Sequence, residues 1–206
     1  MMRIEKLELG AMQVNCYILY EENDDRALVV DPGDYGKRIY EWLQNHGKRC
    51  EAILLTHGHF DHILGVRELK ELTGAPVYAG ENEAVLLADS DMNVSRRIRR
   101  PETVVPDVLL KDASQLQLGG IDFKCIFTPG HTAGSVCYYF EKDSVLLSGD
   151  TLFKSGFGRT DLPTGDTGTL FNSIRNILFM LPGDTVCYPG HGEATTIGDE
   201  ISIFGN

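Results

Sequence analysis

The sequence of 206 residues has no apolar run as long as the roughly 18 residues that a membrane-spanning helix needs. Its first residues, Met1 to Lys6, are largely charged and include no apolar stretch, so we expect no signal peptide. Basic residues are few, because 19 lysines and arginines stand against 30 aspartates and glutamates and give a net charge of −11. This charge repels a phosphate backbone, and we expect neither a nucleic-acid partner nor a membrane partner.

Cysteine is sparse, and the pairs that typify redox or zinc motifs are missing. The five cysteines stand singly along the chain: Cys16, Cys50, Cys125, Cys137 and Cys187. An odd number without clustering is typical of free thiols in a reducing compartment. We therefore expect a cytoplasmic protein whose cysteines serve as small apolar residues of the core.

Apolar residues make up 42% of the chain and charged residues 24%, values typical of a globular protein with a sizeable core. Segments with strand periodicity and segments with helix periodicity are mixed, without strict alternation. One helix is predicted from Tyr35 to about His46, with Asp34 as its cap, and residues 80–112 are the least regular part. The pattern predicts a single domain over residues 1–206, of the α/β class (α+β by some schemes), with sheets covered by helices.

Three of the six histidines stand together in the segment His57-Gly58-His59-Phe60-Asp61-His62. Residues two apart on an extended segment point to the same side, so His57 and His59 can converge on one ion. Asp61 and His62 then lie at the start of the following helix, directed at a second position close by. The segment therefore predicts a metal site.

Three further polar residues each follow an apolar strand and a glycine. They are His131 after residues 126–130, Asp150 after residues 145–149, and His191 after residues 186–190. Buried strands place such ends at one edge of a sheet, where these side chains can join the histidine cluster. Five imidazoles and two carboxylates are enough for two divalent ions that share one carboxylate. Such ligands suit Zn²⁺ first, with iron or manganese as alternatives.

Five segments, taken in chain order, resemble the metallo-β-lactamase superfamily: residues 30–33, 56–62, 129–132, 148–153 and 189–192. They span nearly the whole chain. Within the superfamily the sequence is most similar to the single-domain glyoxalase II-type hydrolases, that is, to enzymes of the hydroxyacylglutathione hydrolase type. This resemblance implies an αββα sandwich of four layers, with a dinuclear metal site at one end of the two sheets.

The resemblance also implies a role for each candidate site residue. The first metal would be held by His57, His59 and His131, the second by Asp61, His62 and His191, and Asp150 would bridge the two. Asp31 would support the histidine loop, although a simple turn-forming role before Asp34 is an equal alternative. Arg159, in Gly156-Phe157-Gly158-Arg159, matches the basic residue with which glyoxalase II contacts glutathione, and a plain surface arginine is the alternative.

Two metal ions close together activate water at neutral pH and polarise a carbonyl group, so a thioester can be cleaved without a serine nucleophile. The resemblance implies a thioesterase for S-(2-hydroxyacyl)glutathione-type substrates, with Asp61 and Asp150 as catalytic carboxylates and a small-molecule thioester as partner. Residues 160–162 lack the aromatic residue of glyoxalase II, and no segment matches its glutathione-binding helical region. The acyl and thiol groups of the substrate therefore stay open, as do the native metal and the oligomeric state.

Other members of the superfamily are alternatives. Persulfide dioxygenases use one iron at the positions that match His57, His131 and Asp150, and acyl-lactone hydrolases share every ligand. Secreted β-lactamases are less similar, because they have cysteine or serine where Asp150 stands. The basic cluster Arg96–Arg100 either attracts an anionic thiol carrier or is a solvated surface, and the sequence does not decide between the two.

Overall fold

The structure is a computed structural model that describes residues 1–205, and its strands form two six-stranded sheets and one small hairpin. The strands are β1 (Met2–Leu9), β2 (Val14–Glu21), β3 (Arg26–Val30), β4 (Arg49–Leu54), β5 (Val77–Gly80), β6 (Val108–Leu110), β7 (Gln115–Leu118), β8 (Ile121–Phe127), β9 (Val136–Phe140), β10 (Val145–Gly149), β11 (Leu152–Phe153), β12 (Gly156–Phe157), β13 (Val186–Pro189) and β14 (Thr195–Thr196). The helices are α1 (Gly36–Asn45), α2 (Phe60–Ile63), α3 (Val66–Thr73), α4 (Ala84–Leu87), α5 (Thr167–Asn176) and α6 (Ile197–Phe204). Short 3₁₀ turns occupy Glu81–Glu83, Glu141–Asp143 and Leu178–Met180.

The first sheet has the strand order β1-β2-β3-β4-β5-β6, and the second has the order β14-β13-β10-β9-β8-β7. Strands β3 to β6 run parallel to one another, and β10 runs parallel to β13. Parallel neighbours need crossover connections, and these connections carry helices α1 to α5. The register pairs Val30 with Leu54 and Gly149 with Pro189, so the segments that follow these strands leave each sheet side by side.

The buried apolar residues divide into three layers. One lies between the first sheet and its helices and includes Val29, Ile39, Leu43, Ile53 and Leu69. One lies between the two sheets and includes Leu28, Leu54, Phe123, Tyr138 and Leu147. One lies between the second sheet and its helices and includes Leu146, Leu170, Ile174, Leu178 and Ile197. Adjacent residues of a strand enter opposite layers because side chains alternate along it, and the predicted αββα sandwich is confirmed.

The start of α1 differs from the sequence prediction. The helix begins after Tyr35, which adopts a left-handed conformation with φ of 51°, and no side chain caps it. The expected capping by Asp34 is therefore wrong. The Asp34 carboxylate instead accepts two hydrogen bonds from the Arg100 guanidinium, at 2.8 and 3.0 Å. Arg100 lies 66 positions further along the chain, so this contact depends on the tertiary structure and could not be predicted from the local sequence.

All five cysteines are free, and four of them are buried while Cys50 is partly exposed. Burial raises the pKa of each of these thiols, that of Cys50 to about 12. Within residues 1–205, none of the helices combines the length and the apolar character that a membrane crossing requires.

The packing of the apolar layer between the sheets can be tested by shortening one of its side chains. Leu28 is fully buried there, so Leu28→Ala should lower the free energy of unfolding by about 2–5 kcal/mol through lost apolar contact and a residual cavity. Leu109→Ala on β6 is the matched control, because Leu109 is 50% exposed. Urea unfolding followed by circular dichroism measures both. Equal losses for the two variants would contradict a packed layer at Leu28.

Candidate metal centre

The seven predicted ligands lie together at one end of the two sheets, beyond the last residues of β4, β8, β10 and β13. Their nitrogen and oxygen atoms form three groups in which all ligand atoms are within 4.8 Å of one another: His57 with His59 and His131, His57 with His62 and Asp150, and Asp61 with His62 and His191. The middle group shares a residue with each of the others. The cluster is thus continuous and large enough for more than one ion.

Asp31, at the end of β3, organises the loop that follows β4. Its Oδ1 accepts a hydrogen bond from the Thr56 backbone N–H at 2.8 Å, and its Oδ2 accepts one from the Thr56 hydroxyl at 2.6 Å. The same Oδ2 accepts a third from His62 Nδ1 at 2.9 Å. Asp31 is 2% exposed and has a left-handed φ of 50°. One carboxylate thereby holds the residue before His57 and the first turn of the helix that carries His62.

Strand β2 of the first sheet holds the His191 loop, which belongs to the second sheet. The Asn15 backbone N–H donates to the Gly190 carbonyl at 2.7 Å, and the Asn15 side-chain amide donates to the carbonyls of Pro189 and Gly192, both at 3.0 Å. Only glycine fits at position 190, because a Cβ there would lie 2.2 Å from Asp150 Oδ1. The two sheets are therefore joined by hydrogen bonds at the site itself.

The hydrogen-bond partners of His57 and His131 assign their tautomers. His131 Nδ1 donates to the Arg159 carbonyl at 2.7 Å. His57 Nδ1 is 3.2 Å from the Thr56 hydroxyl oxygen, whose own hydrogen goes to Asp31, so this nitrogen is also a donor. The Nε2 atoms of both rings then carry no hydrogen but a lone pair, and these two atoms face each other at 3.2 Å. Two lone pairs do not form a hydrogen bond, whereas a cation between them would satisfy both.

The second group has the same design. His62 Nδ1 donates to Asp31, and His191 Nδ1 donates to the Met12 carbonyl at 3.1 Å. The Nε2 of His191 lies 3.2 Å from Asp61 Oδ2. Among the residues that the structure describes, His62 Nε2 and Asp150 Oδ1 are buried without a hydrogen-bond partner, although they lie only 3.4 Å apart. Buried unpartnered atoms are costly, and a divalent cation is the ligand that this set of nitrogen and oxygen donors fits.

The electrostatic environment differs between the two groups. Burial lowers the pKa of His57 and His131, and it lowers that of His59 to about 3. Burial also acts to lower the pKa of His62 and His191, but nearby carboxylates outweigh it: Asp150 and Asp31 raise the pKa of His62, and Asp61 and Asp150 raise that of His191. Protons therefore compete with a metal more strongly in the group around Asp61.

The carboxyl groups of the cluster are ionised at neutral pH. Burial acts to raise the pKa of Asp61, but its hydrogen bond with His191 and the charge of His62 lower it overall. In the same way, burial is outweighed at Asp150 by the neighbouring histidines, with His62 the strongest, and its pKa is lowered. Negative charge thus accumulates where cations would bind.

Arg159, the predicted substrate-contact residue, lies beside the cluster, but its side chain is exposed to solvent. The Arg159 guanidinium is exposed and forms hydrogen bonds with Asp161 at 2.7 and 2.8 Å. Its backbone carbonyl is the acceptor for His131. The position of Arg159 next to a candidate ligand agrees with the expectation, and its contact with a substrate stays a prediction.

The basic cluster Arg96–Arg100 is divided in the structure. Arg100 is paired with Asp34, and Arg96 lies 3.3 Å from Asp91. Ile98 is 40% exposed. With Arg100, Met12, Phe60 and Asp61 among the lining residues, Ile98 borders a small cavity of about 60 Å³. This segment therefore borders the site, as a mixed apolar and basic edge rather than a patch of free charge.

Two buried glutamates near the site escaped the sequence analysis. Glu83 is 1% exposed, and burial raises its pKa to about 7 against hydrogen bonds that lower it. Glu200 on α6 is fully buried and accepts hydrogen bonds from the Ser155 backbone N–H at 3.0 Å and from the Thr195 hydroxyl at 2.6 Å. It anchors the β11–β12 hairpin between Asp150 and Arg159. In the sequence neither glutamate stands in a motif, and only the apolar residues beside them hint at burial.

Comparison with known proteins places this site in a family. The sequence profile described as "Metallo-beta-lactamase superfamily" matches residues 9–191, and the chain belongs to that superfamily. It is 40% identical to "Probable metallo-hydrolase YqgX" of Bacillus subtilis, over 95% of this chain and 93% of the relative. It is 33% identical to "Hydroxyacylglutathione hydrolase GloC" of Haemophilus influenzae, over 97% of this chain and 95% of the relative.

Three solved structures are also similar. "BLEG-1 B3 metallo-beta-lactamase" aligns with a TM-score of 0.92 and 40% identity, covering 97% of each chain. "TTHA1623 in a di-iron-bound form" aligns with a TM-score of 0.85 and 34% identity, covering 95% of this chain and 96% of the other. "ETHE1 from Myxococcus xanthus" aligns with a TM-score of 0.80 and 25% identity, covering 97% of this chain and 81% of the other.

If each of the two groups holds an ion, acidification should release the two ions in a fixed order. His62 and His191 have raised pKa values, so protons should displace an ion from the Asp61-His62-His191 group first. His57, His59 and His131 have lowered pKa values and should keep their ion to a lower pH. Metal content after equilibration at steps from about pH 7 to about pH 4 measures this.

The variant His191→Ala serves as the control for the order of release. It should bind only the ion that leaves at the lower pH. Loss of both ions from the unaltered chain in a single step, or retention of the Asp61-group ion to the lower pH, would contradict the assignment.

Proposed function

We propose that the cluster holds two divalent metal ions. The first would be held by His57, His59 and His131, the second by Asp61, His62 and His191, and Asp150 would be shared between them. One observation carries this proposal: four imidazoles donate a hydrogen bond from Nδ1–H to an oxygen of the protein and direct Nε2 into one cluster with two carboxylates. Zinc is the proposed metal, with iron or manganese as alternatives, and the similar di-iron form of TTHA1623 supports iron.

We infer that the chain is a thioesterase for S-(2-hydroxyacyl)glutathione-type substrates. The similarity to the Haemophilus protein named hydroxyacylglutathione hydrolase supports this substrate class, and the similarity to the Bacillus protein named metallo-hydrolase supports hydrolysis in general. The proposed partner is a small-molecule thioester rather than a nucleic acid or a membrane. The unpaired, mostly buried cysteines support a cytoplasmic location.

Two ions bound here would supply a water of lowered pKa and polarise the thioester carbonyl. The exposure of the ligand side chains indicates the direction from which a substrate approaches. His57, His59, His62 and His131 are at most 3% exposed, whereas the side chains of His191 and Asp61 are 26% and 14% exposed. A substrate therefore reaches the cluster along the side of Asp61 and His191.

Asp61 is ionised and lies at this open side, so its carboxylate can orient the attacking water and take up its proton. Asp150 keeps its negative charge between the two histidine groups. The leaving thiolate has an ordinary pKa near ~8.5, so it departs with little help from a general acid. This division of roles requires no serine or cysteine nucleophile.

The decisive experiment is the metal content of the purified protein together with release of thiol from S-lactoylglutathione. Two ions per chain with rapid thiol release would support the proposal. Two ions with no thiol release, but with opening of a cephalosporin ring, would instead indicate that β-lactams are the substrates. The similarity to the B3 metallo-beta-lactamase makes this the outcome to check.

A persulfide dioxygenase is the second candidate, and the similarity to ETHE1 favours it. The matching positions are His57, His131 and Asp150, and a dioxygenase would use one iron there. A single iron per chain, oxygen consumption with glutathione persulfide and no thiol release would replace the thioesterase proposal. Hydrolysis of an acyl-lactone in preference to the thioester would instead favour the lactonase alternative.

Removal of the shared carboxylate tests the dinuclear assignment. Asp150→Ala should lower kcat/KM by more than about 100-fold and reduce the bound metal, because both ions lose a ligand. Asp143→Ala, an exposed aspartate just before the other end of β10, is the control and should match the unaltered chain. Metal analysis and thiol release are measured on the same samples. Full activity of Asp150→Ala with two ions retained would refute the shared role.

Removal of the guanidinium tests the substrate contact. Arg159→Ala should raise KM for S-lactoylglutathione by about 10-fold and change kcat less, because one charged hydrogen bond to the substrate is lost. The carbonyl that accepts from His131 belongs to the backbone and is retained. Arg49→Ala removes a similarly exposed, ion-paired arginine from the start of β4, far from the cluster along that strand. If KM is unchanged in Arg159→Ala, the side chain is not part of the site.

A further inference from the structure

Glu83 connects the two loops that carry the proposed ligands of the first metal. It is 1% exposed and ends the 3₁₀ turn that precedes α4. Its Oε1 accepts a hydrogen bond from the Gly58 backbone N–H at 2.7 Å. Its Oε2 accepts hydrogen bonds from the Gly134 backbone N–H and from the Thr132 hydroxyl, both at 3.0 Å. The proposed reaction does not use this carboxylate.

The donors are placed where they control the ligands. Gly58 lies between His57 and His59, so its peptide orientation sets the directions of both imidazoles. Thr132 follows His131 directly. One carboxylate thus spans the distance between the loop after β4 and the loop after β8, which belong to different sheets.

The packing around this contact leaves little freedom for the loops to shift. A Cβ at Gly134 would lie 2.2 Å from the Glu83 backbone nitrogen, and a Cβ at Gly58 would lie 2.8 Å from the Leu86 and Leu87 side chains. The turn and α4 therefore press directly against both loops. Because the packing is this close, the hydrogen bonds to Glu83 determine the positions of the two loops.

The contact requires a group that only accepts. Three donors converge on two oxygens, with one peptide N–H on each side. The amide of a glutamine has one oxygen and one NH₂, so in either orientation its NH₂ would face the N–H of Gly58 or of Gly134. Glutamine is similar in size and shape, which makes it a specific probe of the second accepting oxygen.

We propose that Glu83 is a positioning residue that sets the spacing of His57, His59 and His131, and with it the metal affinity of the first site. The inference rests on the metal-binding part of the proposed function and is independent of the substrate. In the second group, Asp31 holds His62, and Asn15 and the Met12 carbonyl hold the His191 loop. None of these contacts involves Glu83. The effect of Glu83 is therefore confined to one of the two ions.

The test compares Glu83→Gln with Glu81→Gln, which alters an exposed glutamate of the same turn. Metal-free proteins are titrated with Zn²⁺ in competition with a chelating indicator, and with Co²⁺ to record the visible absorption of the bound ion. In Glu83→Gln one of the two affinities should fall about 10- to 100-fold, the scale of supporting-residue effects in metal sites. The Co²⁺ spectrum of that ion should change, the other affinity should hold, and Glu81→Gln should match the unaltered chain.

A second variant keeps the test valid should Glu83→Gln fail to fold. Thr132→Val removes one of the three donors and should weaken the same ion by a smaller factor, about 3- to 10-fold, with a change in the same Co²⁺ band. In a folded Glu83→Gln chain, adding Thr132→Val should cause little further loss, because the two residues act through one contact.

Unchanged affinities and an unchanged Co²⁺ spectrum in these variants would overturn the inference, and so would equal weakening of both ions, which would indicate general loosening. These outcomes are separate from failure of the proposed substrate. An unaltered chain that binds two ions but releases no thiol would refute the thioesterase alone. An unaltered chain that binds no ion would refute both.

Discussion

The carboxylate of Asp31 accepts three hydrogen bonds in a space closed to solvent, and the geometry of the candidate centre depends on them. Through Thr56 it orients His57, and through Nδ1 it orients His62, so the two histidines that link the three ligand groups share one support. A charged acceptor makes stronger hydrogen bonds than a neutral one, and it fixes which ring nitrogen carries hydrogen. This arrangement holds Asp31 in a left-handed backbone conformation, which is strained for a residue other than glycine.

The αββα architecture explains why such a site can exist in a stable protein. Parallel strands β3 and β4 in one sheet, and β10 and β13 in the other, bring four chain segments to one end of the sandwich without disturbing the three apolar layers. The polar groups there repel one another or lack partners until a cation is present. Binding of a ligand only to the folded chain adds stability, about 2.7 kcal/mol at a concentration of 100 times Kd. The apolar layers thus stabilise the body of the sandwich, and the proposed ions would stabilise the end that carries the cluster.

Local signals were sufficient to indicate sheets covered by helices and to give the composition of the cluster. The spacing of His57, His59 and His62 and the strand-glycine-ligand pattern before His131 depend on residues near in sequence, so they could be read directly. The alternatives left open for Asp31 differ only in tertiary contacts, and its hydrogen bonds with Thr56 and His62 favour the supporting role.

The features that the sequence did not reveal all depend on distant partners. The cap expected from Asp34 was lost to Arg100, and the burial of Glu83 and Glu200 requires loops from elsewhere in the chain. Strand β6, the β11–β12 hairpin and α6 are short segments with weak periodicity, stabilised by the sheet edge or helix they contact. The roles of individual ligands and of Arg159 likewise need ions and substrates to establish.

The bonds between Asn15 and the His191 loop join residues that are up to 177 positions apart. Contacts of such long range form late in folding, because the chain between them must first be ordered. His57, His59 and His62, by contrast, lie within six residues of one short segment. The cluster therefore combines a local part, which the chain carries before the sheets pack, with a part that is complete only when the two ends of the chain have met.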